Sequence, residues 1–247
     1  MAHRINEQTL LTLAEYEALP DDDLYFDDVS RGYLVREPRP GSAHGRMVVQ
    51  DEHGLLDLPL PKLAGPYQID NAALAIAAAR HFGLPVSSAD IEKGLGTVDW
   101  PARVMPLKGK LSALLSPGQE LWLDGGHNEA GGMVLAEALR DMDRKRPKPL
   151  VLVMGTFANK DAKGYLGHFG DLPKMVFTVP IPGDRAAWPA RALADLATAL
   201  GLKAAPKRSV EAALNAAAAD YPGARIVICG ALHLAGHVLD KNGTPPD

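Results

Sequence analysis

The spacing of apolar residues divides the chain into two stretches of different character. Between residues 24 and 60 the apolar positions fall in short β-rich runs: Leu24-Tyr25-Phe26, Gly32-Tyr33-Leu34-Val35, Arg46-Met47-Val48-Val49 and Leu55-Leu56-Asp57-Leu58. Gly, Pro, Asp and His-Gly turn signals separate them. The pattern predicts antiparallel strands or hairpins, most clearly one turning at Asp51-Glu52-His53-Gly54. Residues 66–83 predict a helix, because alanine is the best helix former and Ala72, Ala73, Ala75 and Ala77 to Ala79 dominate there. Its expected apolar face is Leu74, Ala77, Ala78 and His81, and Gly83-Leu84-Pro85 stops it. Ser87 or Ser88 then caps a second helix, with Ile91 and Leu95 one turn apart and Gly96 closing it. Residues 98–104 read as a linker or the start of a strand. Residues 1–23, polar at first and acidic at the end, read as a short helix or a loose lead-in, as though the chain began inside a larger unit.

From about residue 120 the alternation becomes regular. Leu121-Trp122-Leu123 predicts a strand, and Asn128 opens a helix with Leu135, Leu139 and Met142 on one face. The uninterrupted apolar run Leu150 to Met154 suits a strand buried on both faces. Further strands are expected at Met175 to Val179 and Arg225 to Cys229. Between them, Pro189 marks a first helical turn before the stripe Leu193, Leu196, Ala197 and Leu200, and Ser209 caps a helix carrying Val210 and Leu214. Strands alternating with helices of this length predict an α/β fold, with a parallel sheet covered on both faces.

Composition narrows the class. The 247 residues are 47% apolar, enough for a sizeable core, and 26 basic against 30 acidic residues give a net charge of −4. Nothing in that balance points to nucleic acid or an anionic membrane as partner. No apolar stretch approaches the roughly 20 residues that span a bilayer, and acidic residues occupy the place of a leader's apolar segment. A cytoplasmic protein is the expectation. Cys229, the single cysteine, follows Ile226, Val227 and Ile228 and reads as a packed thiol, so neither a disulfide nor a cysteine-based metal cluster is expected.

In open α/β sheets ligands bind beyond the carboxyl ends of the strands, close to helix N-termini. Three segments have that placement. In Leu123-Asp124-Gly125-Gly126-His127-Asn128 the glycines let the backbone turn sharply, the strand end delivers Asp124 and His127, and Asn128 caps the next helix. The same Asp and His could instead serve only to hydrogen-bond the turn. Gly155 to Asp161 is a polar loop, whose Asp161 could cap a helix. In Gly230-Ala231-Leu232-His233 a strand turns into a helix whose N-terminus could hold a carboxylate or phosphate, and His233 could equally be an ordinary half-buried helical residue. In the first half, Asn71 lies near the start of the alanine-rich helix, and Arg103 after Trp100-Pro101 could pair with a carboxylate or phosphate. The sequence holds neither G-x-x-x-x-G-K-[ST] nor G-x-G-x-x-G, so nothing in it cradles a triphosphate.

Taken together, these segments resemble the folylpolyglutamate synthase/dihydrofolate synthase family of the Mur ligase superfamily. Leu58-Pro59-Leu60-Pro61 through Gly65-Pro66-Tyr67-Gln68-Ile69-Asp70-Asn71-Ala72-Ala73-Leu74-Ala75 is similar to the block "LPLPLLGxHQxxNAALA". Trp100-Pro101-Ala102-Arg103 is similar to "WPGR", Asp124-Gly125-Gly126-His127-Asn128 to "DGAHNP", Gly155 through Asp161 to "GxxxDKD", and Gly230 through Gly236 to "GSLYLAGE". The blocks occur in register over residues 45–240.

The resemblance implies an ATP-dependent ligase that adds L-glutamate to folate or dihydropteroate through an acyl phosphate. It implies a Rossmann-like C-terminal ligase domain, residues 100–247, preceded by a β-hairpin and helix remnant of the central ATPase domain, residues 1–99. Carried over residue by residue, Asn71 would contact the adenine side, Arg103 the ATP phosphates, and Asp124 the nucleotide. His127, Asn128, Ala231 and His233 would bind substrate, with His127, Asp124 and Arg103 as the catalytic group. Ala231 stands where the family has Ser, and Glu129 where it has Pro. The family's P-loop and magnesium-binding residues have no counterpart, so ATP and Mg²⁺ are expected to belong to a longer parent, with none held tightly by this chain and no metal ligand assigned here. Inactivity alone, a need for the P-loop domain as partner, and self-association through exposed apolar surface follow as expectations. A non-catalytic binding or regulatory module that kept the ligase fold is the alternative.

Overall fold

In the computed structural model the described backbone comprises residues 25–28, 34–38, 46–51, 53–63, 65, 67–183 and 186–245, with side chains described from residue 46 onward. The expectations for residues 1–23 lie outside it. The chain divides into two compact units, residues 1–99 and 100–247.

The first unit is an antiparallel meander. Strands β1 (Tyr25–Asp28), β2 (Leu34–Pro38), β3 (Arg46–Asp51) and β4 (Gly54–Pro59) pair in chain order, and Asp51 faces Gly54 across the expected hairpin. Helix α1 (Tyr67–His81) packs on the sheet, followed by α2 (Ser88–Thr97), which Ser87 opens with a reciprocal capping box to Asp90. The buried face of α1 is Ile69, Ala73 and Ile76, against Met47, Val49 and Leu58. This corrects the sequence reading: Leu74 is 49% exposed, because the branched isoleucines fill the gap over the pleated strands and turn Leu74 outward. Phe82, Leu84 and Val86 after the helix are exposed as well. Arg80 ties α1 to the hairpin through an ion pair to the buried Asp51 at 3.3 Å and a hydrogen bond to the Gly54 carbonyl.

The second unit has a six-stranded sheet in the order β5-β6-β10-β7-β8-β9. Its strands are β5 (Met105–Pro106), β6 (Glu120–Leu123), β7 (Leu150–Met154), β8 (Pro173–Thr178), β9 (Ala204–Pro206) and β10 (Arg225–Cys229), all parallel save the short β5. Helices α3 (Glu129–Lys145), α4 (Ala162–Gly167), α5 (Ala190–Ala199), α6 (Val210–Asp220) and α7 (Leu232–Asn242) cover it. Alternation along β7 and β10 feeds two cores. Leu150, Leu152, Met154, Val227 and Cys229 pack with Leu135 and Leu139 of α3, Tyr165 and Leu166 of α4, and Leu193 and Ala197 of α5. Val151, Val153, Ile226 and Ile228 pack with Val210 and Leu214 of α6 and Leu234 and Val238 of α7. The last strand, β10, lies between β6 and β7, and its helix leaves on the face opposite to α3 and α4. Ligand sites in such sheets lie where neighbouring strands send their chains to opposite faces.

Glu211 of α6 and Lys241 of α7 are bonded to each other. The Lys241 ammonium, with smaller help from local hydrogen bonds, lowers the Glu211 pKa from 4.5 to about 2. A carboxyl depressed in the folded state adds stability at pH above its unfolded value of 4.5, and that gain is lost as pH falls toward about 2. The stability difference between wild type and Glu211→Gln, from urea unfolding at a series of pH values, should therefore be constant near neutrality and shrink between those limits. A difference that does not change with pH would contradict this ion pair.

Candidate functional site

The carboxyl edge of the parallel sheet is built from the loops after β6, β7, β8 and β10. Between them lies a cleft of about 390 Å³ lined by His127, Phe157, Asn159, Lys160, Ala186, Ala231, Leu232 and His233. Phe157, Ala231 and Leu232 supply an apolar wall, and His127, Asn159, Lys160 and His233 supply the polar groups.

His127 sits on the turn between β6 and α3. Its Nδ1 lies 3.3 Å from the Gly125 carbonyl. When Nδ1 carries the ring proton it donates to that carbonyl, which leaves Nε2 as a free acceptor. Asn128 follows as the N-cap of α3: its side-chain oxygen accepts from the Gly131 N–H at 2.8 Å, and the residue lies outside the cleft lining.

Asp124 lies behind this turn, 5% exposed. Oδ1 accepts from Gly126 N–H at 2.7 Å and Oδ2 from Val104 N–H at 3.1 Å, so both oxygens serve the main chain. Burial raises its pKa above the ordinary carboxylate value, against the pull of those two donors and of the Arg103 charge. Beneath it the Cys229 thiol is buried, and burial pushes its pKa up to about 12. The Tyr165 hydroxyl on α4 is buried with no hydrogen-bond partner, and burial likewise drives its pKa up. Both groups stay neutral at physiological pH, as expected of a packed thiol.

Arg103 is half-buried and donates from Nη1 to the Ala102 carbonyl at 3.1 Å. Its neighbours Ala102 (φ 59°) and Val104 (φ 44°) are the two non-glycine residues with positive φ among those described. Asn71 belongs to the first unit, exposed on α1, with its amide donating to Gln68 Oε1 at 3.2 Å.

The loop after β7 brings Phe157 and Lys160 to the cleft. Phe157 meets the His233 ring edge-on, with centroids 4.9 Å apart, and the loop is held by Ala158 N–H to Ala186 O at 2.8 Å and Trp188 N–H to Thr156 O at 2.9 Å. Asp161 caps α4 through the Gly164 N–H. Across the cleft, Ala231 is the N-cap of α7 and provides no side-chain acceptor. The first-turn N–H groups of α7 lack intrahelical acceptors, so that helix end is suited to an anionic group. The strand reaches it through Gly230 at φ +104°, where an added Cβ would meet the Gly155 carbonyl at 2.8 Å.

The structure thus brings His127, Ala231 and His233 to one cleft. It puts Asp124 and Arg103 behind and beside the turn, and Asn128 on a cap. Phe157, Asn159 and Lys160 join the cleft although only their loop, not the residues, was singled out from the sequence; the signal was a buried strand running into a polar segment. Among the described residues no group of three or more His, Cys, Asp or Glu side chains is placed to hold a metal ion. Nor is any helix among them long and apolar enough to cross a membrane.

A parallel sheet wrapped by helices on both faces, with a polar cleft at its carboxyl edge, defines an α/β domain of the Rossmann-like kind. In sequence and in structure, this chain is similar to folylpolyglutamate synthases/dihydrofolate synthases. The dihydrofolate synthase/folylpolyglutamate synthase of Escherichia coli (strain K12) is 28% identical over 192 residues, which cover 77% of this chain and 41% of the relative. A crystal structure of the Escherichia coli protein FolC in complex with ADP, without folate substrate, is 26% identical with a TM-score of 0.66, covering 86% of this chain and 46% of that one. A Mycobacterium tuberculosis folylpolyglutamate synthase complexed with ADP and AMPPCP is 25% identical with a TM-score of 0.67, covering 88% and 49%. The chain spans less than half the length of these relatives, a coverage that fits a C-terminal portion. No family model matches it.

One close approach sets how α3 packs against α4. A Cβ on Gly132, in the second turn of α3, would lie 2.5 Å from the Tyr165 carbonyl of α4. Alanine gains roughly 1 kcal/mol over glycine in helix propensity, but this contact is with backbone, which cannot rotate away. Gly132→Ala is expected to destabilise the second unit by about 1–3 kcal/mol, read as a fall in urea midpoint at constant slope. A neutral or stabilised variant would mean the two helices are farther apart than described.

Proposed function

We propose that this chain is the C-terminal portion of an ATP-dependent ligase that joins L-glutamate to a folate or dihydropteroate carboxylate. In this reading residues 100–247 form the glutamate-ligase domain, and residues 1–99 form the C-terminal part of the ATPase domain. The observation that carries it is the cleft itself. It joins an imidazole with a free ring nitrogen (His127), a half-buried ammonium (Lys160) and the uncapped N-terminus of α7 in one volume. These groups lie on the three sheet-edge blocks that resemble the family, and the similarity to synthases crystallised with ADP or AMPPCP supports nucleotide as co-substrate.

The chemistry of the cleft suits an amino acid with two carboxylates. Lys160 and the α7 N-terminus can each hold a carboxylate, by charge and by oriented N–H groups respectively. Glutamate carries a protonated amine, which must lose a proton before it can act as a nucleophile. His127 Nε2 can take that proton while Nδ1 keeps its bond to Gly125. ATP supplies the activation of the accepting carboxylate. Arg103 would stabilise the negative charge that develops on the transferred phosphoryl group. His233, edge-on to Phe157, and Ala231 shape the wall, with the hydroxyl of the family's Ser missing at 231.

Calorimetric titration of the purified chain with ATP–Mg²⁺ and with L-glutamate, repeated on His127→Ala and Lys160→Ala, tests the reading. Weak glutamate binding is expected, reduced about tenfold or more by either substitution, a loss of roughly 1.4 kcal/mol. Glutamate affinity unchanged in both variants would remove the cleft from the amino-acid site. If neither ligand binds even after a family P-loop domain is added in trans, a non-catalytic role for the fold is the better account.

A further inference from the structure

Two side chains of the cleft meet across it. The Phe157 ring, on the loop after β7, and the His233 imidazole, at the start of α7, meet edge-on with centroids 4.9 Å apart and planes at 87°. Phe157 is fixed from behind. Its main chain bridges to Ala187, its carbonyl accepts from Lys160 N–H at 3.1 Å, and Ala158 N–H and Trp188 N–H donate to the Ala186 and Thr156 carbonyls. Its side chain packs against the core that α6 and α7 share with the sheet. His233 is exposed, on the second residue of its helix. An edge-to-face contact adds stabilisation beyond the area it covers, so the aromatic platform selects one orientation of the imidazole.

The start of α7 lacks what this imidazole can supply. Ala235 N–H makes the first bond within the helix, to the Ala231 carbonyl at 3.0 Å, so the N–H groups of Leu232, His233 and Leu234 precede any intrahelical acceptor. A serine at the N-cap would ordinarily take one of them, but Ala231 is buried and has no acceptor to offer. Within the block similar to "GSLYLAGE", this chain holds Ala231 at the Ser and His233 at the Tyr. Two hydroxyls are exchanged for one imidazole. Among Ala231, Leu232, His233 and Leu234, only His233 has a side chain that donates a hydrogen bond. It lines the same cleft as His127 and Lys160.

We propose that His233 binds a ligand carboxylate at the start of α7, in place of the two hydroxyls, and that Phe157 is the residue that positions it. With the imidazole held across the cleft, its ring N–H and the first N–H groups of α7 can serve one anion together. Lys160, on the loop that also carries Phe157, is left for a second carboxylate. The ligand class is therefore a dicarboxylate. That this dicarboxylate is L-glutamate rests on the ligase reading above; the pair itself does not.

Glutarate, which has the two carboxylates and no amine, is the probe, titrated calorimetrically into the full chain beside L-glutamate. His233→Ala should weaken glutarate binding about tenfold, and Phe157→Leu, which keeps an apolar side chain against the core but loses the ring, about threefold. The double variant should be no weaker than His233→Ala, because without the imidazole Phe157 has nothing to position. His233→Gln, which keeps a side-chain donor, should recover part of the loss. Nuclear magnetic resonance separates positioning from packing: the His233 ring signals should move when glutarate is added to wild type, and move less in Phe157→Leu. Unchanged glutarate affinity in His233→Ala, ring signals that ignore glutarate, multiplied losses in the double variant, or no glutarate binding by wild type would each overturn the proposal. Glutarate binding without glutamate binding would sink the ligase reading and leave the pair standing. Glutamate binding that is indifferent to His233→Ala would do the reverse.

Discussion

The insertion of β10 between β6 and β7 is the constraint on which the second unit depends. Until the last strand arrives, β6 and β7 have no common neighbour, and their main-chain groups on the facing edges lack partners. β10 satisfies both edges at once, pairing Ile226 with Leu121 and Val151 and Ile228 with Leu123 and Val153. An unpaired buried amide or carbonyl costs on the order of 1–3 kcal/mol, so a sheet missing this strand could not stay closed. The same insertion sends α7 to the opposite face from α3 and α4. The gap left at the carboxyl edge is the cleft. Fold and site are in this sense one topological fact.

The two ends of β6 show how position along a parallel strand decides what a carboxylate does. Glu120, at the amino end, meets Arg146, Lys148 and Arg225 and accepts from Trp122 Nε1 at 3.2 Å. Burial acts to raise its pKa, but the hydrogen bonds from Trp122 and Lys148 and the charges of Lys148 and Arg146 together hold it below its usual value. Asp124, just past the carboxyl end, has only main-chain donors and the Arg103 charge to set against burial, and its pKa goes up. Cations gather at the amino end because three segments converge there with no helix N-terminus to supply the positive field. At the carboxyl end the turn into α3 and the start of α7 provide that field through N–H groups, leaving lysine and histidine free for a ligand.

The legible parts of the fold were those where one physical rule acted alone. Leu150 to Met154 predicts a strand buried on both faces because nothing polar interrupts it, and all five residues are buried. Ser87, Asn128 and Ser209 announce helix starts because each side chain can satisfy an orphan N–H, and each does so. The face of α1 was not legible. A helix of alanines interrupted by Ile69, Leu74 and Ile76 presents apolar residues almost all round, so the sheet and not the sequence chose which side to bury. The strands β5 and β9 escaped for a different reason, since two or three residues ending in proline carry no alternation to read. In the site, sequence delivered the turn, the loop and the helix start, because glycine after a strand is a local signal. It could not deliver the division of labour within them. That Asp124 serves Val104 while His127 faces the cleft depends on a backbone N–H 20 residues earlier in the chain.

The resources of the cleft also bound what the second unit can contribute to phosphoryl chemistry. Recognition of an anion needs donors and positive charge, and Lys160, the α7 N-terminus and the neighbouring Arg103 supply those. Neutralising a triphosphate as it reacts ordinarily takes a divalent ion as well, and such an ion needs oxygen ligands clustered on one side of the phosphates. Two carboxylates of this edge serve the main chain, Asp124 through Gly126 and Val104 and Asp161 through the first turn of α4, while Glu129 lies 3.6 Å from His168. Under the proposed reading this edge would orient the amino acid, hold a proton on His127 and present Arg103. That is a coherent share of a ligase's work, because placing a nucleophile and screening phosphate charge are separate tasks that separate surfaces can perform.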